Sequence, residues 1–214
     1  MKPRVIMLLL GGILLSGCQL LASPKQHEAQ GERLQGELRF DAGYWQLTDC
    51  NNQKTLVLEF AEPWLQATTG CQPGRPCFAD LELQQDDNLP IQVSKVHRIQ
   101  NEGHGCNDEE FEHLLIRASG NEPFWTIRLN AQGLVLQQPG KPTVALPYIH
   151  EQSGDGMQYI TSQANNHTLQ LWISQHPCID SMSGAWHAYS ARLQWQGEML
   201  TGCAYHGLQS SVFP

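Results

Sequence analysis

The residues best suited to chemistry lie in the last third of the chain. Cys178, Asp180, Ser181, Met182, Ser183 and Gly184 fall close together, with His176 just before them and His187 just after. Three chemistries are open to this set. A serine hydroxyl activated by His187 would carry out acyl transfer. The chain lacks a G-x-S-x-G elbow or an S-x-x-K pair, and no nearby carboxylate is evident to orient His187. A Cys178 thiolate with His176 and His187, joined by His206 and Met182, would make a soft site for copper or zinc. Pairing of Cys178 in a disulfide would remove that thiolate. The third chemistry is binding without catalysis. Asp180 would cap the N–H groups of a tight turn, and Met182 would pack over the end of a barrel. Asp180, Ser181, Met182 and Ser183, with Trp125 of the Glu122-Pro123-Phe124-Trp125 run, would then form a recognition edge, although an aromatic pair opening a strand is more often core. The run Asp108-Glu109-Glu110 with Glu112 lacks EF-hand spacing and is expected to be a solvated loop. We therefore expect a protein that is not an enzyme.

These groups must be placed by a folded chain, and its start indicates where that chain works. Lys2 and Arg4 precede an apolar stretch from Val5 to Leu15. The stretch is too short for a spanning helix, which needs about 20 residues, and suits a signal peptide. Leu15-Ser16-Gly17-Cys18 closes it and looks like a bacterial lipobox. Residues 1–17 are the expected lipoprotein signal peptide. Cys18 would carry diacylglycerol and a fatty acyl chain such as palmitate, the only covalent groups expected, with no other cofactor. More than one lipid chain gives stable anchoring. Gln19 rather than Asp after the cysteine favours the outer membrane, with the protein facing the periplasm.

Without residues 1–17 the chain keeps 11 of its 13 Lys and Arg and all 21 Asp and Glu, a net charge of −10. That balance opposes nucleic acid and anionic lipid surfaces. An apolar content of 41% is enough for folded cores. With Cys18 lipidated, six cysteines remain: Cys50, Cys71, Cys77, Cys106, Cys178 and Cys203. An even number in an oxidising compartment implies disulfides, in any of several connectivities. Proximity in sequence favours Cys71 with Cys77 and Cys178 with Cys203, leaving Cys50 for Cys106.

Residues 18–34 are polar and aperiodic and are expected to be a lipidated tether. From there the pattern has a period of two. The β-rich stretches of the first group are Glu37–Leu47, Thr55–Phe60, Phe78–Leu83, Ile91–Ile99 and Leu114–Ile116, separated by Gly, Pro and Asn turns. Alternation along Ile91–Ile99 slips between Val93 and Val96. Ser119–Pro123 is the expected boundary. Beyond it Trp125, Ile127 and Leu129 share a face, as do Leu169, Leu171 and Ile173, and Ala191, Leu193 and Trp195. The fold class is all-β, with two small disulfide-stabilised β-barrel domains over residues 35–117 and 118–214.

Gly36 to Cys50, with Phe40, Ala42, Trp45, Thr48 and Asp49, and Pro90 to Gly103 resemble the OB-like C-terminal domain of NlpE-type envelope lipoproteins. The Cys71–Cys77 insertion is not part of that pattern. The CxxC module of those proteins is missing, so their link to copper does not carry over. Asn121-Glu122-Pro123-Phe124-Trp125, then Cys178-Ile179-Asp180-Ser181-Met182-Ser183-Gly184, then Leu200-Thr201-Gly202-Cys203 resemble a domain of uncharacterised Gram-negative lipoproteins. This second resemblance supports the Cys178–Cys203 pairing and brings no activity. Together they imply an outer-membrane lipoprotein that binds protein partners or senses stress in the envelope. Handling of a small ligand or metal, and inhibition of lysozyme, are the alternatives.

Overall fold

A computed structural model describes residues 31–62, 64–71, 74–84 and 89–212. The expected signal peptide, Cys18 and most of the tether lie outside the described residues. Among the described residues strands predominate, and the helical segments are short 3-10 turns. Five strands make the first barrel: β1 (Glu32–Asp41), β2 (Tyr44–Asp49), β3 (Thr55–Phe60), β4 (Cys77–Leu83) and β5 (Ile91–Gln100). β1 is antiparallel to both β2 and β4, β2 pairs with β3, and β4 with β5. β5 closes the ring by running parallel to β3. The ring order β1-β2-β3-β5-β4 is that of an OB-type barrel. Its core gathers Leu38, Leu47, Leu58, Leu81, Val96 and Ile99. Each such buried side chain contributes about 1.5–3 kcal/mol. The slip in alternation along β5 corresponds to register shifts against β4 between Asp80 and Leu81 and between Glu82 and Leu83.

The second sheet uses β6 (Leu114–Asn121), β7 (Phe124–Asn130), β8 (Gly133–Gln137), β9 (Val144–Leu146), β10 (Ile149–Gln152), β11 (Gln158–Ala164), β12 (His167–Ser174), β15 (Tyr189–Trp195) and β16 (Glu198–His206). Their order is β10-β11-β12-β15-β16-β6-β7-β8-β9. The outermost strands, β9 and β10, are joined directly by Pro147-Tyr148. Chain continuity thus brings the two ends of the sheet together and curls it into a barrel. Pro147 has no N–H to give to a ladder, and the Tyr148 hydroxyl donates to the Asn130 carbonyl at 3.0 Å. Trp125, Ile127, Leu129, Leu134, Ile160, Leu169 and Leu193 are fully buried inside.

Between β12 and β15 the chain makes a small hairpin, β13 (Cys178–Ile179) and β14 (Trp186–His187), which leaves its own sheet. It pairs with the first barrel, Trp186 opposite Ile99 and His187 opposite Arg98. Trp186 is buried in the first core, edge-on to Trp64 at 6.2 Å. The Ala188 N–H continues the attachment by donating to the His97 carbonyl at 3.0 Å. Three disulfides tie the loops: Cys50–Cys106, Cys71–Cys77 and Cys178–Cys203.

The observed elements differ from the sequence expectation in three places. Glu37–Leu47 is not one strand, because Ala42 and Gly43 both take positive φ (50° and 88°) and turn β1 into β2. Residues 32–34, expected in the tether, are the start of β1, paired to Leu81–Leu83. Ser119–Pro123, the expected boundary, is the end of β6 and its turn into β7, and Leu114–Ile116, expected in the first group, opens β6 in the second sheet. Among the described residues no helix is long and apolar enough to cross a membrane.

Candidate functional site

Three stretches far apart in sequence meet at one place on the outer face of the second barrel. The β6–β7 turn supplies Asn121 and Phe124, the β13–β14 hairpin supplies residues 178–187, and β16 supplies Thr201 to Cys203. The Cys178–Cys203 bond staples the hairpin to β16, with the Cα atoms 5.4 Å apart. Beneath it β6 and β16 approach more closely than side chains allow. A Cβ on Gly202 would lie 2.0 Å from the Ser119 carbonyl oxygen. One on Gly120 would lie 2.1 Å from the Thr201 carbonyl and 2.5 Å from the Trp125 indole nitrogen.

The hairpin loop is organised by Asp180. Its Oδ1 accepts from the Met182 N–H at 3.0 Å, the Ser183 N–H at 2.8 Å and the Ser183 hydroxyl at 2.9 Å. Its Oδ2 accepts from Asn121 Nδ2 at 3.0 Å, which fixes the hairpin to the β6–β7 turn. Burial pushes the Asp180 carboxyl up, but these hydrogen bonds together outweigh it and hold the pKa below the ordinary value. The Ser181 Oγ accepts from the same Asn121 amide at 3.2 Å. Gly70, ending the 3-10 stretch Trp64–Gly70, abuts the Gly184 carbonyl from the first barrel.

Around this polar knot stand exposed apolar side chains: Met182 at 76%, Ile179 at 56%, Met199 at 48% and Phe124 at 47%. Two expectations are corrected here. Met182 does not cover a barrel end, because the grip of Asp180 on the 182 and 183 amides turns it into solvent. Trp125 is not on the recognition edge. It alternates with Phe124, and the pleat sends Trp125 fully inside and Phe124 out.

The other candidates are held apart. Cys178 is oxidised, so it offers no thiolate to the His176, Cys178 and His187 set, and His176 is exposed. Among the described residues no group of three or more His, Cys, Asp or Glu could hold a metal ion. His187 is buried with its ring 5.7 Å from Tyr205 and nearly parallel to it. Burial, helped by Arg98, pushes its pKa down to about 4. Neither serine is hydrogen-bonded to it, and both are engaged with Asn121 or Asp180. In the acidic run, Glu110 pairs with Arg128 at 2.6 Å and Asp108 faces Arg98 at 4.0 Å.

Sequence reasoning did not find the joint between the barrels, where the buried polar side chains concentrate. Arg33 donates to both oxygens of Asp80, at 2.6 and 2.8 Å, and to the His206 carbonyl at 2.7 Å. Arg98, 2% exposed, lies over Tyr205 at 4.0 Å, Phe78 at 4.7 Å and Phe111 at 5.3 Å. Its Nε and Nη2 have no hydrogen-bond partner. The one available signal was the stretch Val96-His97-Arg98-Ile99, which breaks the alternation of its strand. Beside the joint a cavity of about 250 Å³ is lined by Leu115, Ile116, His150, Gln158, Tyr189 and His206 among others. No protein family, curated protein or solved structure matches this chain.

Proposed function

We propose that the protein is an outer-membrane lipoprotein, anchored through Cys18, that works in the periplasm as a non-enzymatic binding or stress-sensing module. Its partner is a protein of the envelope. The observation that carries this reading is the Phe124, Ile179 and Met182 surface. Ile179 and Met182 stand in water there on a hairpin fixed by a disulfide and the Asp180–Asn121 hydrogen bond, with Phe124 at the start of β7 beside that turn. Aromatic and Met side chains on a pre-ordered loop suit the centre of a protein interface, since little entropy is lost on contact. The net charge of −10 directs the choice away from nucleic acid. The three disulfides suit an oxidising compartment.

A second reading, capture of a small ligand, is favoured by the joint-side cavity, whose lining carries no Asp, Glu, Lys or Arg. A Phe124→Ser, Met182→Ser double variant separates the two readings. At matched level and matched melting temperature it should abolish an envelope-stress response that the wild-type chain modulates, as should Cys18→Ala. An unchanged response in both would overturn the protein-partner reading.

A further inference from the structure

The joint between the barrels buries His97 and His187 among positive charges, with His206 half-buried beside them at the edge of the cavity. His97 on β5 is 4% exposed; its Nε2 donates to Glu82 on β4 at 2.7 Å, and its Nδ1 has no partner. The other charges it faces are Arg33 on β1, Asp80 on β4 and Lys95 on β5. His206 on β16 stacks on Tyr189 at 4.4 Å and accepts from Gln158 Nε2 at 3.0 Å. It faces Arg33, Lys95, His97 and His150. His187 on β14 lies opposite Arg98 and also faces Arg117 and Asp180. Arg33 is already occupied by Asp80, and the nearest carboxylate to Arg98 is Asp108, at 4.0 Å. Protonating His187 in place would set a new cation beside the buried Arg98 in a site closed to water, which is costly.

We propose that this joint is an acid-sensitive latch: as the pH falls below 6, protonation of His187 releases the β13–β14 hairpin from β5 while the strands of both barrels stay paired. The hairpin is the moving part because β14 is attached over a short stretch, by the pairs Trp186 with Ile99 and His187 with Arg98, the Ala188 N–H to the His97 carbonyl and the Trp186 ring in the first core. Apart from Trp186, which the hairpin lends to the first core, each barrel keeps its own core, and Cys178–Cys203 keeps the hairpin tied to β16. Because the hairpin also carries Ile179 and Met182, release would move that surface relative to the first barrel. The latch itself stands whether or not that surface binds a protein.

The direction follows from linkage. Burial lowers all three pKa values, to about 4 for His187 and about 3 for His206. A released histidine titrates near its ordinary value of about 6.5, so the open form takes up protons that the closed form excludes. At pH 5 this favours opening by about thirty-fold for His187, the histidine that the hairpin carries.

Backbone amide exchange of the full chain, at pH 7 and pH 5 and corrected for intrinsic rates, tests this. Protection of the Ala188 amide, which donates to the His97 carbonyl, should fall by about twenty-fold at pH 5. The Ile127 and Leu136 amides of the second barrel and the Leu47 amide of the first should stay protected. His187→Gln should remove most of the pH effect at the hairpin. Constant hairpin protection would overturn the latch, as would loss in step with the barrel strands. The wild-type comparison decides the matter even if the variant does not fold.

Discussion

Removing the Cys178–Cys203 bond, by Cys178→Ala with Cys203→Ala, should cost more than its place at the surface suggests. The bond joins residues 25 apart in sequence. The loop-closure entropy it removes from the unfolded chain is worth about 3.5 kcal/mol at 25 °C. The same reasoning gives about 2.2 kcal/mol for Cys71–Cys77 and about 4.2 kcal/mol for Cys50–Cys106, from separations of 6 and 56 residues. The three paired-alanine variants should therefore rank in that order when urea unfolding is followed with the remaining disulfides intact. For a domain of about 100 residues the Cys178–Cys203 loss should lower the melting temperature by about 15–25 °C. The hairpin variant should also lose amide protection at Met182 and Ser183, because only the Asn121 contact and the β14–β5 pairs would then hold the loop. A cost smaller than that of the Cys71–Cys77 pair would refute the reasoning, since it would mean that the hairpin is held mainly by something other than the bond.

Three further outcomes are expected. Gly202→Ala should destabilise the second barrel by about 1–3 kcal/mol in urea unfolding, because the added carbon meets the Ser119 backbone, which cannot swing aside. No change would mean that β6 and β16 can part freely. Arg98→Lys should cost about 1–2 kcal/mol by the same assay, since an ammonium cannot lie flat among Tyr205, Phe78 and Phe111; equal stability would contradict the stacked arrangement. Asp180→Asn should weaken protection of the Met182 and Ser183 amides above about pH 4 and leave it unaltered well below that. The sign follows because the folded carboxyl is held below its ordinary pKa, so its contribution is present above the unfolded value and lost as the pH falls through the folded one.

Alternating residues made the strands legible wherever one face is buried. Trp125-Ile127-Leu129 and Ala191-Leu193-Trp195 have that pattern, and both lie on barrel interiors. The all-β class and the three disulfides could be expected for the same reason, that local pattern and proximity carry the information. The Ala42-Gly43 turn was hidden because Ala is an uncommon residue at positive φ. The attachment of β14 to β5 was hidden because it is a pairing across about 90 residues, made by a strand of only two. The joint was invisible for a related reason. Arg33, Asp80, Arg98 and His206 come from four strands, and none of them marks its partner in sequence. At the site, the sequence pointed to Asp180 as the organiser of its turn. It did not show Asn121 as its partner, or that Phe124 rather than Trp125 faces out.

The central claim is that the Phe124, Ile179 and Met182 surface meets an envelope protein. Photo-crosslinking in the native envelope tests it most directly, with a photoreactive residue placed singly at Met182, at Phe124, or at Ile149, which is 65% exposed on the far side of the second barrel. The account predicts one discrete protein adduct shared by the 182 and 124 positions, absent at 149, and lost from position 182 when Asp180 is changed to Ala. The same adduct at all three positions, or none at 182 and 124, would contradict it.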